Sequence, residues 1–120
     1  MKEQILEVSK KFWTAMENAD EAGMRTAADP ECSFVHIGMT CGLDHEVECY
    51  TSGAFNPTEI IFHDKKVKIF GETAIVLTDC DYGLLLNGSP TTHHFAVTEV
   101  YVHRDTDWKL VQFSFTALVN

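Results

Sequence analysis

At 120 residues, 45% of them apolar and 22% charged, the chain has the composition of one globular domain, expected over residues 1–120 with a single core. Nine Lys+Arg against eighteen Asp+Glu give a formal charge of −9, which argues against nucleic acid or an anionic membrane surface as a partner. No run approaches the ~18 apolar residues needed to cross a bilayer, and the opening MKEQILEVSKKFW lacks a signal peptide's apolar core, so a cytoplasmic location is expected.

Residues 3–18 have helical periodicity: Ile5, Val8, Phe12 and Met16 form a stripe that Leu6 and Trp13 widen. Asp20 is placed to cap a second, short helix running through Ala28, and Asp29-Pro30 ends it. Cys32 to Ile37 reads as a strand, and Gly38 and Gly42 bracket an irregular stretch. Asp44 is a candidate N-cap for a third helix from His45 to Thr51.

The remainder is sheet. Thr58 to Phe70 is one long strand, bulged around Asp64-Lys65, where the alternation slips. Gly71-Glu72 turns into Thr73–Leu86, and Asn87-Gly88-Ser89-Pro90 is a strong hairpin signal. Thr91–His103 and Trp108–Leu118 follow, joined by the charged turn Arg104–Asp107. Helices followed by long antiparallel strands imply an α+β cone, a bent sheet wrapped on the helices with a cavity at its wide end.

Several stretches resemble the nuclear transport factor 2-like superfamily over essentially the whole chain. Glu17-Asn18-Ala19-Asp20 is similar to its joint between the first two helices, and Asp29 to Phe34 to its entry into the first strand. Lys68-Ile69-Phe70-Gly71-Glu72-Thr73-Ala74-Ile75-Val76 is similar to a recurrent hairpin of the family. Thr98 to Thr116 is similar to the last two strands of SnoaL-like proteins and of the calcium/calmodulin-dependent protein kinase II association domain. The superfamily mixes enzymes such as ketosteroid isomerase, scytalone dehydratase and polyketide cyclases with binding and self-association modules, so the resemblance implies the fold more narrowly than the function.

His36 lies close to where the isomerase has its carboxylate base, and an imidazole exchanges protons near neutrality. Asp79 and Asp81, at period two on one strand, are the candidate partners if their face lines the cavity. The resemblance matches Phe12 to the isomerase's tyrosine and Thr98 to its oxyanion aspartate, so the known steroid machinery is not reproduced. The kinase association domain's anion-binding arginine is matched by Glu99. If buried, Glu99 needs a partner such as Arg104 or a histidine.

The aromatic set Phe12, Trp13, Phe34, Phe55, Tyr82, Phe113 and Phe115 reads first as core and second as pocket wall. With Thr98 and Val111, the residues Phe12, Trp13, Phe34, Phe113 and Phe115 are the candidate ligand contacts. On the last strand, Val111, Phe113 and Phe115 are expected to face the cavity, while Trp108, Leu110, Gln112, Ser114 and Thr116 face a partner.

His93 and His94 point to opposite faces, and His63 and His103 fit no metal spacing, so no metal and no cofactor are expected. Cys32, Cys41, Cys49 and Cys80 contain no C-x-x-C pair and read as reduced core thiols, with a catalytic thiol as the lesser reading. Two functions fit. One is a homodimer binding a small, largely apolar molecule, with proton transfer of the isomerase, dehydratase or cyclase kind. The other is a non-catalytic binding or self-association module that uses Tyr101, Trp108 and Leu110 on the outer sheet face.

Overall fold

The computed structural model describes residues 1–118; Val119 and Asn120, the end of the expected domain, lie outside the described residues. The apolar stripe forms α1 (Lys2–Glu17), which buries Ile5, Ser9, Phe12, Trp13 and Met16. Asp20 caps α2 (Glu21–Ala27) as expected, its side chain accepting from the Gly23 N–H at 3.1 Å. β1 (Ala28–His36) begins earlier than its sequence pattern, directly at the helix end.

The stretch between Gly38 and Gly42 is regular rather than irregular: Met39–Gly42 forms β2, antiparallel to β1. α3 (Leu43–Thr51) starts two residues earlier than expected, with Gly42 rather than Asp44 at its N-cap. Asp44 is inside the first turn, where the helix dipole favours it, and pairs with Arg25 at 2.8 Å.

The long strands are β3 (Phe55–Phe70), β4 (Thr73–Leu86), β5 (Ser89–Arg104) and β6 (Asp107–Ala117). They form one six-stranded sheet in the order β2-β1-β6-β5-β4-β3, parallel only between β1 and β6. β3 slips register between Phe62 and Asp64, close to the expected bulge. Asn87 and Gly88 both have positive φ, 50° and 86°, the requirement of the tight turn that joins β4 to β5.

A second bulge changes which side chains face inward. Val100 pairs with Gln112 and Tyr101 with Leu110, so Val111 is an extra residue and the alternation of β6 changes phase there. Trp108 and Leu110 are therefore buried on the same side as Phe113 and Phe115, not on an outer face. Tyr101 is likewise fully buried. The inserted residue breaks the period of two on β6 and turns Trp108 and Leu110 inward. Tyr101 faces inward by its alternation with Val97 and Glu99 on β5, so the expected outer surface of these three residues is corrected.

The core has two parts. Phe12, Phe34 and Phe113 pack as an aromatic cluster with ring centroids 5.1–5.9 Å apart. Beside them Glu99, fully buried on β5, receives four hydrogen bonds: from Ser9 (2.7 Å), Trp13 Nε1 (2.9 Å), Tyr101 (2.6 Å) and Thr78. Lys65 Nζ stands 3.8 Å away and donates to Ser9. Arg104 instead binds Asp29, so the expected partner of Glu99 is corrected.

This fully buried carboxyl group ties α1 to β4 and β5. Glu99→Ala leaves buried donors without an acceptor, and is expected to cost on the order of 3–5 kcal/mol. Urea unfolding measures it; a loss under about 1 kcal/mol would show the network contributes little.

Candidate functional site

At the wide end of the sheet, β1, α3 and the β4–β5 hairpin enclose a cavity of about 410 Å³. Its walls include His36, Tyr50, Phe55, Tyr82, Leu84 and Phe115, with Ile37, Asn87, Thr91 and His93 also lining it. Most of this lining is apolar, so the few polar atoms decide how a ligand would be oriented.

His36 ends β1. Its ring stacks on Phe115 at 5.0 Å and meets the edge of Phe55 at 5.1 Å, leaving its side chain 13% exposed. Nε2 is 2.6 Å from Oε1 of Glu46, a residue of α3 that is 0% exposed. With the carboxylate accepting from Nε2–H, the basic nitrogen of the ring is Nδ1. Cys41 Sγ donates to the same oxygen at 3.4 Å, while Oε2 has no partner among the described residues.

A second polar pair stands on the cavity wall. The hydroxyls of Tyr50 and Tyr82 are 2.7 Å apart. One phenol donates to the other, so one of the two O–H protons is free for a further acceptor. Burial pushes both phenols well above their usual range, which keeps them neutral donors.

The sequence candidates divide sharply. His36 and Phe115 line the cavity. Asp79 and Asp81 do not join His36: on β4 the inward positions are taken by Val76, Thr78, Cys80 and Tyr82, so the aspartates fall on the opposite face. There Asp79 pairs with His94 at 2.5 Å and Asp81 with His63 at 3.0 Å.

Thr98 is on that same outer face, its neighbours Val97 and Glu99 having the inward positions, and Val111 is in the bulge. Phe12, Trp13, Phe34 and Phe113 are sealed in the core beside the cavity rather than on its wall. Glu46 and Tyr50 were not singled out by the sequence, although a signal existed. Leu43, Glu46, Val47 and Tyr50 follow helical spacing, which puts a carboxylate on an otherwise buried stripe.

A family model described as the SnoaL-like domain matches residues 5–119. A comparison with curated proteins finds no match. Among solved structures, the fold is similar to an NTF2-like protein from Cytophaga hutchinsonii, with TM-score 0.89, 22% identity and 98% of each chain covered. It is also similar to an NTF2-like protein of unknown function in nutrient uptake from Rhodospirillum rubrum, with TM-score 0.88, 20% identity and coverage of 96% of this chain and 98% of that one. The S. rosetta CaMKII hub has TM-score 0.79 at 22% identity, covering 97% of this chain and 95% of the hub. These likenesses bear out the α+β cone. No helix among the described residues is long and apolar enough to cross a membrane.

The chain's three tyrosines, Tyr50, Tyr82 and Tyr101, are all raised by burial. In the unfolded chain they ionise near the ordinary value of about 10. Above that pH the unfolded state holds fewer protons than the folded one, so stability should fall as pH rises from about 10 upward. Phenolate absorbance should show no titration in the folded protein up to about pH 11, and ordinary titration in urea. A tyrosine ionising near 10 in the folded protein would contradict the burial of that hydroxyl.

Proposed function

This chain belongs to the SnoaL-like family, and from that premise we propose that it binds a small, largely apolar molecule in its cavity and transfers a proton on it. The observation that carries the reading is the imidazole of His36, held 2.6 Å from a buried carboxylate inside an aromatic-walled cavity. A volume of about 410 Å³ suits a compact ligand of one or two rings.

The roles follow from the donors and acceptors. Glu46 fixes the ring of His36 and stabilises the imidazolium that forms when Nδ1 takes a proton. The free hydroxyl proton of the Tyr50–Tyr82 pair is a donor for an oxygen on the ligand, where negative charge would build up as the proton leaves. This chemistry is of the isomerase, dehydratase or cyclase kind and uses no cofactor. Its setting is a reducing cytoplasm, in keeping with four free thiols.

The rival reading is a self-association module. One observation favours a homodimer: the outer sheet face exposes Leu77 (42%) next to the partly buried Ile75 and Val100, and Ile61 (45%) further along the same face. The CaMKII hub domain of similar fold is the precedent for assembly. A dimer formed through this face leaves the cavity free, so the two readings are compatible.

Hydrogen–deuterium exchange of tetralone and indanone, followed by NMR in the presence of the protein, tests the chemistry. His36→Ala is expected to lower the exchange rate on the order of a hundredfold, with the oligomer mass unchanged. Equal rates for wild type and variant would remove the proton-transfer role. Leu84→Trp, which fills the cavity, should abolish binding of both ketones. Leu77→Asp should reduce the mass in analytical ultracentrifugation to that of one chain; an unchanged mass would exclude the outer face as the interface.

A further inference from the structure

Behind His36, on the side of its ring that faces Glu46, three donor types that suit a metal stand together. His36 Nε2, Cys41 Sγ and a carboxylate oxygen of Glu46 all lie within 4.8 Å of one another. They come from three elements: the end of β1, the short strand β2 and the buried side of α3. We propose that His36, Cys41 and Glu46 form a binding site for a thiophilic divalent cation of the zinc class.

Two features of the buried carboxylate favour this. Glu46 is 0% exposed, yet Oε2 has no partner among the described residues. Its one ion-pair partner among the described residues is the imidazole of His36. A buried carboxylate with an unused oxygen and so little positive charge nearby is poorly compensated. One divalent cation with one thiolate, one carboxylate and a neutral imidazole sums to zero charge, which removes the deficit.

The dimensions agree. Bonds of about 2.0–2.3 Å to nitrogen, oxygen and sulfur put tetrahedral ligands roughly 3.3–3.8 Å apart. The present separations run from 2.6 Å (Nε2 to Oε1) through 3.4 Å (Sγ to Oε1) to the outer limit of 4.8 Å, so side-chain torsions are enough to close the set. On binding, Cys41 releases its thiol proton to solvent. The neutral imidazole keeps its single proton, moved to Nδ1, and gives the Nε2 lone pair to the metal. Three protein ligands leave a fourth position open for water.

The site shares His36 with the proton-transfer reading, and the two are alternative states of one corner. Without metal, the ring is a base oriented by Glu46. With metal, Nδ1 carries the proton and the ring can no longer accept one. Metal binding would therefore switch off proton transfer while leaving the apolar cavity intact.

Cobalt(II) titration of the metal-free protein tests the proposal, because a thiolate–cobalt charge-transfer band reports sulfur ligation directly. One cobalt per chain with this band is expected, displaced by zinc and not by magnesium. Cys41→Ser should lose the band and weaken cobalt binding on the order of a hundredfold, whereas Cys49→Ser, on the same helix as Glu46, should keep both. Absence of the band in the wild-type protein, or its persistence in Cys41→Ser, would overturn the site. Leu84→Trp separates the two readings: it blocks ketone binding but should still bind cobalt. If cobalt fails while His36→Ala still lowers ketone exchange, only the metal proposal falls.

Discussion

A single buried carboxyl group organises the packing of helix on sheet. Glu99 is on the inward face of β5 and gathers donors from α1 (Ser9, Trp13), from β4 (Thr78) and from its own strand (Tyr101). Lys65 of β3 approaches from the side, over the faces of Trp13 and Phe62 at 5.3 and 5.0 Å. Desolvation lowers the pKa of Lys65, and the nearby Glu99 charge opposes that effect. Every donor aimed at Glu99 is fixed in direction, so α1 has one way to sit on the sheet. That geometry closes the sheet around Phe12, Phe34 and Phe113 and leaves the opening at the far end, beneath His36.

The other fully buried carboxylate, Glu46, differs in one physical respect. Glu99 has both oxygens used, whereas Glu46 has one oxygen occupied by His36 and Cys41 and the other without a partner among the described residues. A saturated buried network stiffens a core, while an unsaturated one is open to a change of proton, ligand or metal. Glu99 thus stands away from the cavity, whereas Glu46 stands behind His36, which lines it. Phe55 and Phe115 pack on the ring of His36, the partner of Glu46, and keep that pair in low dielectric, where each charge matters more.

The outer face of the sheet follows from the same alternation. Each inward residue of β4 and β5 has outward neighbours, which gives Ile75, Leu77, Thr98 and Val100 a common surface. Next to this apolar strip, Asp79 with His94 and Asp81 with His63 form two cross-strand pairs whose rings approach to 5.7 Å. Since 39–46% of these side chains is exposed, apart from His94 at 35%, solvent screens the pairs and they add little to stability.

Periodicity in the sequence determined the elements. The stripe from Ile5 to Met16, the Asp20 cap, the Asn87-Gly88 turn and the four long strands are local patterns, and each is decided by backbone sterics or by burial of one face. The placement of His36 against the cavity was legible only through the resemblance to ketosteroid isomerase, since no local pattern gives the strand order that brings it there. The face of each strand was not. One inserted residue at Val111 reverses the phase of β6, turning Trp108 and Leu110 inward, and no local pattern distinguishes a bulge from a register choice. Only tertiary packing decided that Thr78, Cys80 and Tyr82 take the inner side of β4, leaving Asp79 and Asp81 outside. Only tertiary packing, likewise, brought Glu46 from α3 to an imidazole ten residues earlier in the chain, since a carboxylate's partner is set by the direction in which two separate elements meet.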